Sequence, residues 1–274
     1  MTLILTSDSY RGYSAPLTAY SNAAPGAQPA FVGRLIWPGS DHPDDVVLKL
    51  YKSGTCGIAN EVIGYSANIA RGISQPKRSA ITLLSMENLE VLGIDLSEYV
   101  DAASSLIPCW TTSFEQGAVP FKFIRRSALF SEKKAIAFYK SQFCQSLAAV
   151  DHITGNNDRH SGNYLYIDDL NYLAIDQGCV GGGLVWHKGW PDANPRNELR
   201  LSAARELTTI DMAEWSAKAI VEHHRTQGKW AEILPALRSN LDGLLDLDAI
   251  DIIVEYMEDR ASGTNFATSC GSLF

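Results

Sequence analysis

The apolar residues of this chain change their period part-way along it, and that change limits the fold more than any other feature of the sequence. Up to Gly117 the apolar runs are short, separated by Gly, Pro and Asp, and read mainly as strands. Strands are predicted over residues 31–37 and 46–51, as a hairpin across a turn rich in Gly, Asp and Pro, and over 80–84 after the break at Pro76. A further strand is predicted near 107–111, and residues 87–117 carry no other clear pattern. The one helix expected in this part spans 58–70, where Ile58, Val62, Ile63, Ile69 and Ala70 fall at roughly helical spacing.

The second part is helical in character. Ser131 is a candidate cap for a helix whose stripe runs Ala135, Ile136, Tyr139, Phe143, Leu147 and Val150, with Glu132 in the first turn where the dipole favours an acid. A polar loop over 154–162 follows, then two short apolar segments, 164–167 and 172–175, which read as a hairpin turning at Asp168-Asp169. A Gly-rich loop over 178–195 leads to helices over 201–223, 230–241 and 247–260, the last with Ile250, Ile253, Val254 and Met257 on one face. The expected class is α+β: a small strand-rich lobe with one helix, residues 1–110, and a larger, mainly helical lobe, residues 111–274. The connector is expected near 108–120, and a cleft between lobes is the expected ligand site.

Composition removes several function classes. The 274 residues, 46% hydrophobic and 20% charged, suffice for a sizeable core and exclude a fibrous or disordered chain. A net charge of -8 argues against nucleic acid or an anionic membrane as partner. No apolar run approaches the roughly 20 residues that cross a bilayer, and no basic segment leads into a hydrophobic one at the start, so a cytoplasmic protein is expected. The five cysteines are scattered, without a C-x-x-C pair, which argues against a disulfide framework or structural zinc.

The most informative segment is Gly155-Asn156-Asn157-Asp158-Arg159-His160-Ser161-Gly162-Asn163, which joins a strong helix to a hairpin. Asp158 and Asn163 stand five residues apart, the spacing at which a protein kinase catalytic loop carries its base and its magnesium-binding amide. Asp176-Gln177-Gly178 follows at the end of the hairpin, an Asp-x-Gly. Phosphoryl transfer asks the protein for a carboxylate at the attacking hydroxyl, hard oxygen ligands for Mg²⁺ and cations on the phosphates. Asp158 suits the first task, and Asn163 and Asp176 the second.

Lys49 is the candidate cation. It lies mid-strand among apolar neighbours, whereas Lys52 falls at the strand end on the opposite face. A semi-buried ammonium needs a partner, and between Val46 and Met86 the only acid is Glu61, on the predicted helix. No G-x-G-x-x-G loop precedes the lysine strand, so an ordinary eukaryotic-type kinase is disfavoured.

These residues resemble a known family. Asn-x-Asp-Arg-His-x-x-Asn followed by Ile-Asp-x-Gly is similar to the HipA-like serine/threonine kinases and, in the catalytic loop, to the phosphoinositide 3/4-kinase-like folds. Asn60-Glu61-Val62-Ile63-Gly64, then Ala70-Arg71 and Pro76, resembles the family's Asn-Glu helix and Pro turn, and Gly26-Ala27-Gln28 its phosphate loop. The resemblance covers residues from about 20 to 180 by motif. It departs in lacking the family's Pro at Asn157 or Ser161 and in being shorter than full-length HipA toxins.

The resemblance implies a two-lobe kinase-like fold using ATP and Mg²⁺ to phosphorylate a protein Ser or Thr. Asp158 would be the base, His160 a catalytic support, and Asn163 and Asp176 the metal ligands. Lys49, Glu61, Gly26 and Gln28 would hold the nucleotide, with backbone contacts near Cys109 and Trp110. An antitoxin-like or regulatory protein partner is a further implication.

Other readings stay open at this point. Asp158-Arg159-His160 alone fits a surface ion-pair loop, and His152, Asp158 and His160 together fit a hydrolytic metal site. Lys49 alone fits a snorkelling lysine, and Cys179 fits packing better than nucleophilic chemistry. Trp186 and Trp190 fit either a peptide-docking surface or core. A lipid or small-molecule kinase, an AMP transferase and a non-catalytic nucleotide-binding module are the functional alternatives.

Overall fold

Alternation of apolar and polar residues produces a six-stranded sheet early in the chain. In the computed structural model, which describes residues 3–16, 28–101, 103–127 and 132–271, the strands are β1 (Ile4–Leu5), β2 (Tyr10–Pro16), β3 (Ala30–Leu35), β4 (Asp44–Leu50), β5 (Ser79–Leu84) and β6 (Ile107–Ser113). Their order is β1-β5-β6-β4-β3-β2, antiparallel except for the parallel β1–β5 pair. Helix α1 (Gly57–Arg71) follows β4, and the short α2 (Met86–Leu89) follows β5. The protein is a mixed α+β fold, as expected. Two compact units make it up: Met1–Ile58 with Pro76–Gln116, and Ala59–Gln75 with Gly117–Phe274.

In the first unit Val46, Leu48 and Leu50 of β4 face a core with Phe31, Leu35, Trp37, Leu84, Leu89, Ile107 and Cys109. Each such side chain contributes about 1.5–3 kcal/mol on burial, which fixes the register of the strand. Lys49 takes the opposite face. It is 8% exposed, with its ammonium 5.0 Å from the centre of the Tyr51 ring. Lys52, in contrast, meets Glu98 at 2.7 Å in solvent.

The strand predicted near 107–111 is real but sits inside the sheet. Cys109 is in register with Leu50 and Thr82, and Trp110 with Lys49 and Ile81. Flanking strands therefore take the backbone groups of both residues, which corrects their assignment as connector residues contacting a nucleotide through the backbone. Trp110 instead shares the sheet face of Lys49.

The second unit adds β7 (Val119–Pro120), α3 (Phe121–Arg126), α4 (Glu132–Lys140), α5 (Gln142–Thr154), β8 (Tyr164–Tyr166), β9 (Tyr172–Ala174), α6 (Glu198–Glu206), α7 (Thr209–Leu241), α8 (Leu247–Ser262) and α9 (Asn265–Ser269). Strands β7, β8 and β9 form a small antiparallel sheet. Phe138 of α4 stacks on Tyr164 of β8 at 4.3 Å and meets Tyr172 of β9 edge-on at 5.0 Å, seating the hairpin on the helices. Helix α5 is buried along most of its length, from Cys144 to Thr154.

Three expectations change. The long helix through residues 135–150 is two helices, because Ser141 turns out of the helical region and its hydroxyl accepts the Cys144 N–H at 3.2 Å, an N-cap that restarts the chain as α5. The candidate cap Ser131 lies outside the described residues. The helix predicted over 201–223 breaks at Leu207, where Thr208 caps α7. Helix α7 then runs unbroken through Gly228 and Pro235; Pro235 is exposed, so the carbonyl left without a partner faces solvent. The division also differs from the expected 110/111 boundary, since α1 from Ala59 onward belongs with the second unit. No helix among the described residues is long and apolar enough to cross a membrane. No disulfide joins the five cysteines.

Candidate active site

Helix α5 ends where the polar loop begins. Gly155 takes φ 68°, the left-handed turn that closes a helix, and a Cβ there would stand 2.1 Å from the Tyr256 hydroxyl of α8. Glycine is required on both counts.

The loop that follows is built around Arg159, which is wholly buried. Its Nε and Nη2 donate to the two carboxylate oxygens of Asp151 on α5, each at 3.0 Å. Its Nη1 donates to the main-chain oxygens of Asn163 at 3.0 Å and Ile175 at 2.5 Å, and Nη2 to the Gln177 side chain. Burial pushes the Asp151 carboxyl up from its ordinary value, and the paired guanidinium opposes that push. The surface ion-pair reading of this loop is thereby corrected: the guanidinium is an internal tie between α5, the loop and the end of β9.

With Arg159 inside, its neighbours are turned outward. Asp158 and His160 are exposed. The Asn163 side-chain amide donates to the Asp158 main-chain oxygen at 2.7 Å and lies 3.4 Å from Asp158 Oδ2. The Ile175 N–H bonds the Asn163 carbonyl at 3.2 Å, so Asn163 lies one residue across from Asp176. His160 Nδ1 accepts the Gly162 N–H at 3.0 Å, which puts the proton of the neutral ring on Nε2. Asp176 itself has φ 60°, a strained conformation for a residue with a side chain.

One face of α1 closes over the Asp-x-Gly turn. The Glu61 carboxylate accepts the Gln177 N–H at 2.9 Å, immediately after Asp176. Gly64 allows that approach, since a Cβ there would come within 2.5 Å of Gln177 Cβ. Asn60, one residue before Glu61, reaches the Gly178 carbonyl at 2.7 Å.

Of the residues expected at the site, Asp158, His160, Asn163, Asp176 and Glu61 come together in the second unit. Lys49, Cys109, Trp110 and Gln28 belong to the first, with Gln28 half-buried just ahead of β3, and Gly26 lies outside the described residues. No group of three or more His, Cys, Asp and Glu suited to a metal occurs among the described residues. The donor set is one carboxylate, Asp176, and one amide oxygen, on Asn163. Such hard oxygens fit Mg²⁺, which completes its shell with water and phosphate.

The hydrolytic metal reading fails at His152. Its ring is buried against Phe266 at 4.8 Å, and Nδ1 faces an Arg260 guanidinium nitrogen at 3.1 Å. Burial, with Arg260 and His223 adding, holds its pKa down to about 2. The reading from sequence missed Asp151 as the partner of Arg159, and missed Lys122, whose N–H bonds the Ser161 carbonyl at 2.7 Å. Nothing in a single sequence marks either one. The chain matches no protein-family model and no curated protein.

Proposed function

We propose that this chain is an ATP- and magnesium-dependent phosphotransferase of the HipA-like, two-lobe kinase type, passing a γ-phosphoryl group to the hydroxyl of a protein Ser or Thr. The observation that supports the reading most is that the buried Arg159 bonds the main-chain oxygens of Asn163 at 3.0 Å and Asp176 at 3.5 Å, while the Asn163 amide bonds the main-chain oxygen of Asp158 at 2.7 Å.

In this reading Asp158 orients the acceptor hydroxyl and takes its proton. The acceptor oxygen forms its bond to the γ-phosphorus while the bond to the bridging oxygen breaks, and ADP leaves. Asn163 and Asp176 would hold Mg²⁺, which supplies neutralisation of the phosphate charge. Lys49 is the proposed cation on the phosphates, with Glu61 as its proposed partner. His160, two residues after Asp158 on the same loop, is the proposed support for the acceptor. The proposed setting is cytoplasmic, with a regulatory protein as second partner and neither nucleic acid nor membrane.

The test is transfer of label from γ-labelled ATP to a panel of protein, lipid and small-molecule acceptors. Asp158→Asn should lower transfer by about a hundredfold or more while ATP binding is kept. Full activity in that variant refutes the role of Asp158. Label arriving from the α-phosphate means AMP transfer, and ATP binding without any transfer means a non-catalytic module.

A further inference from the structure

Beyond the Asp-x-Gly turn runs a Gly-rich segment from Gly178 to Asp192, which the assignments above leave without a role. It is fastened to the second unit at four places. The Asn60 side chain, fully buried on α1, donates from Nδ2 to the Gly178 carbonyl at 2.7 Å and to the Gly183 carbonyl at 2.9 Å. Its Oδ1 accepts the indole N–H of Trp186 at 2.9 Å. Both amide hydrogens and the oxygen are thus used within one nine-residue stretch. Asn157 of the catalytic loop donates to the Gly182 carbonyl at 3.0 Å, and the Gly182 N–H bonds the Gly155 carbonyl at 3.0 Å. The Tyr256 hydroxyl of α8 donates to the Asp192 carbonyl at 2.9 Å.

Two glycines let the chain follow this path. Gly181 and Gly182 have φ 64° and 84°, and a Cβ on Gly181 would stand 2.8 Å from the Trp186 ring. The sequence adds an independent point: no Ser, Thr or Tyr occurs between Tyr172 and Ser202. A phosphoryl group on a hydroxyl, the common means of ordering a segment next to a phosphotransfer site, has no attachment point here.

We propose that Asn60 is a positioning residue that holds the segment from Gly178 to Trp186 in its working conformation, so that the site is assembled by internal hydrogen bonds and needs no activating phosphorylation of this segment. The inference rests on the phosphotransferase reading for its consequence on rate, but the clamp itself is independent of that reading. Asn60 touches no reacting atom; it acts through the backbone that follows Asp176.

The test compares the wild-type chain with Asn60→Asp, which has the same shape but turns two donors into acceptors facing two carbonyls, and with Trp186→Phe, which removes the indole N–H together with part of a buried ring. Amide hydrogen exchange is followed in peptides covering residues 178–190 and, as an internal reference, in α5. Asn60→Asp should speed exchange in the segment by about tenfold or more with α5 unchanged, and Trp186→Phe should shift it in the same direction by less. Transfer should show a fall in kcat with the KM for ATP kept, and the active wild type should carry no phosphate on residues 178–192 by mass spectrometry.

Equal exchange in all three proteins overturns the clamp, as does an equal speeding of α5 and the segment, which marks general loss of stability. A phosphoryl group found by mass spectrometry on any residue of 178–192 in the active wild type overturns the independence from phosphorylation. Should Asn60→Asp fail to fold, Trp186→Phe decides. Should the wild type transfer nothing at all, the proposed function fails while the exchange data still decide the clamp.

Discussion

Arg159 grips Asp151 at two points, both 3.0 Å, and neither side chain reaches solvent. The pair ties the last turns of α5 to the loop that carries Asp158, and its remaining donors fix Asn163 and Ile175 in the same grasp. Breaking it by Asp151→Asn leaves a buried guanidinium short of its counter-charge. We expect a loss of about 3–5 kcal/mol, read by equilibrium urea denaturation. The double change Asp151→Asn with Arg159→Met should cost less than the two single changes added together, because it removes the stranded charge.

Gly64 offers a graded test of how closely α1 lies on Gln177. Gly64→Ala sets a methyl group 2.5 Å from Gln177 Cβ and should destabilise by about 1–3 kcal/mol while slowing transfer. Gly228→Ala is the control. No atom lies within 4 Å of that position on α7, and the change should stabilise by about 0.4–1 kcal/mol in the same melting experiment.

Asp176→Asn separates metal binding from folding. Asn tolerates the left-handed φ of 60° nearly as well as Asp, so any fall in melting temperature should be limited to the lost attraction between this carboxylate and Arg159. The Mg²⁺ concentration giving half-maximal transfer should rise, because the carboxylate ligand is gone. An unchanged Mg²⁺ dependence would remove Asp176 from the proposed ligand set.

Stability should fall with acid well before the carboxylates titrate. Burial is the chief cause that holds His152 down to about 2 and His223 down to about 4, both below the ordinary histidine value of 6.5. Between pH 6.5 and about 4 the unfolded chain takes up protons that the folded protein refuses. The folded state therefore loses roughly 1.4 kcal/mol per pH unit for each of the two rings, and the contribution is complete only above about pH 6.5. Urea titrations at pH 7, 6 and 5 read the slope, and His223→Leu should remove about half of it.

Much of this was visible in the residues, for reasons that vary with position. The β3–β4 pair, α1 and the β8–β9 hairpin follow from apolar spacing, because each buries one face against its own neighbourhood. The break at Ser141 was hidden, since the apolar stripe runs on through Phe143 and Leu147 while one hydroxyl changes the backbone course. Pro235 reads as a stop from propensity alone, yet its exposed setting makes it tolerable. At the site, the spacing of Asp158, Asn163 and Asp176 was legible. The burial of Arg159 was not, because it depends on Asp151 from a helix whose pattern gives no sign of an internal charge. Cys109 and Trp110 were misread because a central strand and a connector can share the same short apolar run.

Asn60, Glu61 and Gly64 occupy about a 100° arc of α1, and Ile69 near its end is 60% exposed. Val62, on the same face as Ile69 but two turns earlier, is buried like Ala59 and Ile63, so the helix divides along its length into early turns that descent cannot redecorate and a last turn that it can. In a saturation library the first should be nearly monomorphic, down to the refusal of alanine for glycine, while the second drifts freely.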